Sequence, residues 1–358
     1  MQVASRPNSL VQRDDDTLRN SYVMNIRSTT IINRNDYSLG IMFRREYVPE
    51  ELPGFARKAE EAGFDELWVV EDCFYGSGIA SAATALPGTD TITVGLGIMP
   101  AVVRNPVFAA MEIATLARLH PGRFLPGFGH GVAGWMRQIG AFPKSQLKAL
   151  EEVTVAIRAL LAGEQLTFNG RYVHLDQTQL VHPPEQVPPI SLGVAGPKSL
   201  ALSGRVADGT ILGEYSAPKY ISWAREQITS GKLEAGHDRD HRLTLFAFAC
   251  AASATATARQ ELRPMVASAV ASRGMNAKLA SMGIMPQVRE YREGGGQQRL
   301  EAAMPDAWID QLAIAGTLEE WKSAIDRLVE AGADSVVLVP LPDKGPDEID
   351  AFSRHFLA

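Results

Sequence analysis

The chain has little cysteine, no run of basic residues and no long apolar stretch, and each shortage removes a class of protein. Only Cys73 and Cys250 occur, far apart, so a disulfide framework is excluded as the organising device and a reducing cytoplasm is the natural compartment. A net charge of −6 without basic clusters argues against nucleic acid or an anionic membrane surface as partners. No apolar run reaches the roughly 18 residues of a membrane span. The seven histidines are scattered and form no cluster at predicted strand ends, so no metal site is assigned. A nucleophile elbow and a phosphate-binding lysine loop are also missing. Paired carboxylates for hydrolysis reduce to Asp72 and Glu214, neither in a recognisable motif.

What is present is an alternating α/β pattern. With 358 residues, 46% of them hydrophobic, the chain can bury a large core. Residues 1–36 are rich in Arg, Asp, Asn, Ser and Thr and read as a disordered or poorly packed extension; Met24 is a second candidate start. From residue 37 to 358 we expect one domain. Its predicted strands fall near 37–43, 65–70, 91–98, 123–128, 189–195, 208–213, 242–250 and 335–340. Each is followed by a helical pattern, the clearest at 144–162, where Leu147, Leu150, Val153, Ile157, Leu160 and Leu161 share a face. The segment EAGADSVVLVP (330–340) echoes EAGFDELWVV (61–70), the same helix-to-strand connection at opposite ends of the domain. Eight such apolar strands predict a (β/α)8 TIM barrel, with a doubly wound open sheet as the structural alternative. Two insertions interrupt the pattern. Residues 164–185 contain Asn169-Gly170 between alternating β-formers, a hairpin signal on the barrel's outside or rim. Residues 274–304 carry Gly294-Gly295-Gly296 and no clean period, as in a lid, a partner surface or a disordered loop.

In a barrel the active site lies where strands end. The candidates are therefore Arg44, Arg45 and Glu46 after the first strand; Glu71, Asp72, Cys73 and Tyr75 after the second; and Gly97 and Ile98 at the third, within TITVGLGIMPAVVRNP (91–106). The fourth strand, RFLPGFGHG (123–131), supplies Gly129, His130 and Gly131, then Trp135. The fifth and sixth supply Gly193 to Pro197 at a helix N-terminus, then Gly213, Glu214 and Tyr215. Such a glycine-lined, aromatic cavity suits a cofactor that carries its own reactivity. Plainer readings stand beside this one. Gly95 and Gly97 could permit close packing inside a strand. Cys73 could be an inert thiol, His130 a structural hydrogen-bonder, and Glu71, Arg44 and Arg45 partners in rim salt bridges.

The stretches VGLGIMPAVVRNP, RFLPGFGHG and SLGVAGPKSLALSGRVADGTIL resemble those of the bacterial luciferase-like superfamily, which contains flavin-dependent monooxygenases and oxidoreductases that use the deazaflavin F420. The resemblance implies a homodimer and a bound F420 or FMN that passes a hydride to or from a small organic substrate. It implies a bulge with a cis peptide at Gly97-Ile98 supporting the ring, Gly129, His130 and Gly131 beside the cofactor's side chain, and Gly193, Val194, Ala195, Gly196 and Pro197 at its phosphate, with Gly213 nearby. Asp72 matches an acidic position, so Asp72 and His130 are the candidate catalytic pair. Cys73, Tyr75, Trp135, Glu214 and Tyr215 are assigned to the substrate pocket. Two positions depart from the deazaflavin pattern: Cys73 replaces a common histidine, and Val132 replaces the acid/base glutamate of one superfamily member, an F420-dependent sugar-phosphate dehydrogenase. Those departures leave two alternatives: an FMN monooxygenase fed by a separate reductase, and a cofactor-binding relative without catalysis.

Overall fold

A computed structural model describes residues 34–272 and 276–352; the expectations for residues 1–33, including a start at Met24, lie outside the described residues. The strands are β1 (Ser38–Met42), β2 (Glu66–Val69), β3 (Thr93–Pro100), β4 (Phe124–Gly129), β5 (Leu166–Asn169), β6 (His174–Thr178), β7 (Ser191–Gly193), β8 (Gly209–Leu212), β9 (Arg242–Ala251), β10 (Ala313–Gly316) and β11 (Ser335–Val339). Eight of them, in the order β1-β2-β3-β4-β7-β8-β9-β11, run parallel and close through the β8–β9 and β11–β1 pairings. The result is a (β/α)8 TIM barrel. All eight barrel strands lie at the positions predicted from periodicity. Runs such as Ser335–Val339, apolar after the serine and buried at every residue, can only sit where both sheet faces are covered.

The helices are α1 (Leu52–Glu61), α2 (Gly78–Ala85), α3 (Pro106–Leu119), α4 (Ala133–Gln138), α5 (Gln146–Leu161), α6 (Pro197–Val206) and α7 (Pro218–Glu234). Then follow α8 (Thr255–Ser272), α9 (Ala277–Ser281), α10 (Met285–Glu293), α11 (Gly296–Ala303), α12 (Asp306–Leu312), α13 (Leu318–Glu330) and α14 (Gly345–Phe352). Start signals explain several boundaries. Asn105 caps α3 ahead of Pro106, and Thr317 with Glu320 forms a reciprocal capping box on α13.

Side chains fill the barrel's lower interior. The indole of Trp68 is 1% exposed; it donates to Glu66 Oε2 at 2.7 Å and packs edge-on to Phe246 at 5.3 Å. Glu66 also accepts from Ser335 Oγ at 2.8 Å and pairs with Arg242, so its buried charge is satisfied. Gly95 makes room for this indole, because a Cβ there would lie 2.3 Å from the Trp68 ring. Packing therefore explains Gly95, as the plainer reading held.

Two insertions differ in what the sequence signalled. The β5–β6 hairpin forms at Asn169, which pairs with His174. Its turn is fastened to α5 by Glu152, 2% exposed, whose carboxylate accepts from the amides of Arg171, Tyr172 and Val173. Residues 276–304, expected to be irregular, are helical instead. Leu279, Val288 and Leu300 of α9, α10 and α11 are fully buried in one cluster with Leu262 and Val266 of α8. Their helices are short, so no period survives over the usual window. Strand β10 was also unpredicted: Ala-Ile-Ala-Gly is brief, and it exists by pairing with Phe248–Ala251 of β9.

Candidate active site

Strand β3 carries the feature around which the site is built. Its register against β4 shifts between Leu96 and Met99, and the Gly97-Ile98 peptide is cis. The bulge turns the Ile98 side chain into a hollow made by glycines: a Cβ on Gly129 or Gly193 would lie 2.9 or 2.5 Å from Ile98. A Cβ on Gly97 would meet Phe246 Cζ at 2.8 Å. These absent side chains are thus taken up by neighbours within the chain, while the Gly97-Ile98 backbone remains on the cavity wall.

That cavity, about 630 Å³, opens at the strands' C-terminal ends. It gathers most of the predicted residues: Asp72, Cys73, Gly97, Ile98, His130 and Gly131 on one side. Trp135, Gly193, Val194, Ala195, Gly213, Glu214 and Tyr215 complete it. Four of the residues assigned to cofactor or substrate are absent from its lining. Gly129 is buried in β4 against Ile98, Gly196 and Pro197 are exposed at the start of α6, and Tyr75 is half exposed on the lip.

Charge at the mouth is largely paired. Arg45 reaches from the loop after β1 to Asp72 at 2.7 Å and to Glu46 at 3.1 Å, with its guanidinium 5.0 Å from the Tyr75 ring and 5.7 Å from that of Trp135. Burial works against the Arg45 charge, but Asp72 and Glu46 outweigh it and raise its pKa. Asp72 is therefore an acceptor already engaged by a guanidinium. Glu71 turns away to Arg104 and to the Gly78 amide at 2.9 Å, where it supports the start of α2. Burial, with the charges of Asp72 and Glu71, raises the Cys73 pKa and keeps its thiol protonated.

His130 has a positioning geometry. Its Nε2 lies 3.0 Å from Ser199 Oγ in the first turn of α6, and burial lowers its pKa, keeping the imidazole neutral. Nearby, the Tyr220 hydroxyl donates to Ala195 O at 2.7 Å. Both contacts fix the segment between β7 and α6, whose N-cap, Gly196, offers no side-chain cap to the helix. A helix start left uncapped suits a phosphate.

Ser199 falls in the strand-end segment 195–199 that the sequence marks for inspection, without an assigned role, whereas Tyr220 and Lys278 were not foreseen as site residues. Lys278, 5% exposed on α9, donates to the carbonyls of Gly213 and Glu214 at 2.8 Å each and lies 4.4 Å from the Tyr215 ring centre. Only helical periodicity over 217–234 could have flagged Tyr220 as inward-facing. Nothing in sequence separates a buried lysine from a surface one.

A closed parallel barrel with a bulged third strand beneath a cavity at its C-terminal end defines the class: a (β/α)8 barrel of the luciferase-like type. The model of the luciferase-like monooxygenase family matches residues 34–335, and the chain belongs to that family. A 5,10-methylenetetrahydromethanopterin reductase of Methanolobus tindarius is 28% identical over 82% of this chain and 93% of its own. An F420-dependent glucose-6-phosphate dehydrogenase of Nakamurella multipartita is 30% identical over 56% of this chain and 63% of its own. Among solved structures, the coenzyme F420 dependent tetrahydromethanopterin reductase from Methanopyrus kandleri superposes with a TM-score of 0.78 over 90% of this chain and 99% of that one, at 23% identity. A type II Baeyer-Villiger monooxygenase component from Pseudomonas putida, in complex with FMN, gives 0.67 at 17% identity over 89% and 95%. Both superpositions bear on the fold.

Proposed function

We propose that the protein is an oxidoreductase that binds F420 in the cavity above the Gly97-Ile98 bulge and moves a hydride to or from a small organic substrate. The observation that carries this reading is the bulged β3 backbone on the cavity wall, together with Val194 and Ala195 on the same wall, which lead into an uncapped helix start that can take the cofactor's phosphate. Relatives named for F420 support this choice of ring. A homodimer in the cytoplasm, with residues 37–358 as one domain, belongs to the same proposal.

When bound, the deazaflavin supplies the hydride donor or acceptor. The protein supplies placement and a dry face. Gly97-Ile98 supports the ring. Val194, Ala195 and the amides at the start of α6 hold the phosphate end, kept in place by Tyr220 and by the His130–Ser199 hydrogen bond. Arg45 and Asp72 close part of the mouth, and the Asp72 carboxylate is an acceptor for a donor group on the substrate. Neutral His130 anchors the phosphate loop rather than delivering a proton.

Cys73, standing where deazaflavin enzymes commonly have histidine, favours a second reading: an FMN monooxygenase served by a separate reductase. Reoxidation of reduced FMN by dioxygen, timed with and without the protein, tests it; identical rates sink it. For the main reading, Gly97→Val should abolish F420 binding with an unchanged far-ultraviolet circular dichroism spectrum, since a branched side chain cannot fit beside Phe246. Unaltered affinity would remove the bulge from the site.

A further inference from the structure

A second cavity, about 820 Å³, adjoins the first and shares Met42, Arg45, Val70, Asp72, Glu214 and Tyr215 with it. Resting on the reading that the ring occupies the first cavity, we propose that the second is the substrate chamber. We propose further that Glu214, at the junction, selects substrates presenting a protonated or N–H-rich nitrogen.

The charge inventory argues for this polarity. Among the described residues, each cation of the chamber is already engaged: Arg44 with Glu46 at 3.0 Å, Arg45 with Asp72 at 2.7 Å, and Lys344 with Glu261. A carboxylate or phosphate entering the chamber must share one of these cations with the carboxylate already on it. An incoming donor meets the opposite situation. Among the described residues, the Glu214 carboxylate makes no hydrogen bond or ion pair; only its backbone oxygen is used, by Lys278. Asp343, also on the wall and also without a partner, is exposed to water. Glu214 is only partly exposed, and a carboxylate withdrawn from water gains most from a donor that restores its lost hydration. Met42, Phe248, Met265 and Leu341 supply apolar wall for the substrate's hydrocarbon. The chamber therefore fits a compact apolar body bearing a cationic or donating nitrogen, and disfavours phosphorylated substrates.

Three probes of one size, benzylamine, benzyl alcohol and benzoate, test this by calorimetric titration of the full-length protein at neutral pH. Benzylamine should bind about tenfold more tightly than benzoate, the effect of one charge-assisted contact. In Glu214→Gln, its affinity should fall to within about twofold of benzyl alcohol. Benzoate binding as tightly as benzylamine, or an unchanged benzylamine affinity in folded Glu214→Gln, overturns the proposal. Should that variant not fold, the wild-type comparison decides alone. F420 binding is measured on the same samples. Its failure with the benzylamine preference intact would remove the redox reading and leave the selectivity standing, whereas intact F420 binding without that preference would remove only the chamber.

Discussion

Ile98 occupies the volume that a side chain at Gly193 would need: its Cγ2 lies 2.5 Å from where a Cβ at 193 would stand. Strands β3 and β7 do not pair, since β4 runs between them, yet this contact couples the β3 bulge to the segment that leads into α6. Gly193→Ala should therefore overpack the site and destabilise the protein by about 1–3 kcal/mol in urea unfolding. Ile98→Ala in the same chain should recover much of that loss. Simple additivity of the two changes would show that the side chains do not compete.

Lys278 ties the inserted helix α9 to the barrel through two carbonyls at the end of β8. Lys278→Met keeps the stem and removes the donors, leaving Gly213 O and Glu214 O without the ammonium. We expect loss of order 1–3 kcal/mol in stability and weaker F420 binding, because Gly213 lines the cavity. Arginine, with a planar fork in place of a compact ammonium, should not rescue the variant. Full rescue by arginine would reduce the role of Lys278 to charge alone.

Glu152 gives a control remote from the site. Its buried carboxylate satisfies three amides of the hairpin turn, and Glu152→Ala leaves them without that acceptor. The expected cost is about 2–4 kcal/mol by chemical unfolding, with F420 affinity unchanged. A matching loss of affinity would mean that the hairpin and the cavity are coupled.

His241 sets an acid limit on stability. It is 8% exposed, 2.8 Å from Thr210 Oγ1, and burial, with the charges of Arg225 and Lys232, lowers its pKa from 6.5 to about 4. Because the folded pKa is the lower one, the unfolded chain takes up the proton first as pH falls. Stability is therefore whole above about pH 6.5 and declines towards pH 4, by about 3 kcal/mol at most from this group. Glu348, pushed up to about 8 by burial, changes in the opposite sense over an overlapping range. The contribution of His241 must accordingly be read as the difference in pH slope between the wild type and His241→Gln. Identical slopes would show that His241 titrates normally.

The sequence revealed most where local pattern and tertiary demand agree. The stretch 91–98 reads as a strand, and the strand that forms, Thr93–Pro100, is mostly buried; the Asn169-Gly170 pair marks a hairpin that forms there. On α5 the apolar spacing found Leu150, Val153, Ile157 and Leu160, all buried, yet it passed over Glu152, whose burial depends on a turn twenty residues later. The helices between 276 and 304 escaped notice because each is short and takes its stability from α8 rather than from its own periodicity. At the site, the glycines were visible but their partners were not. Gly129 and Gly193 face Ile98, and only the three-dimensional path of β3 reveals that. Asp72 was singled out, but Arg45, which neutralises it from another loop, changes what it can do.

The central claim is that this barrel holds a redox ring above Gly97-Ile98. Titration of the purified protein with F420, and separately with FMN, followed by cofactor fluorescence, tests it most directly. The account predicts submicromolar binding of F420, a preference over FMN, and loss of that binding in Gly97→Val. Tight binding of FMN alone would shift the assignment to the monooxygenase reading, and binding of neither would contradict the account.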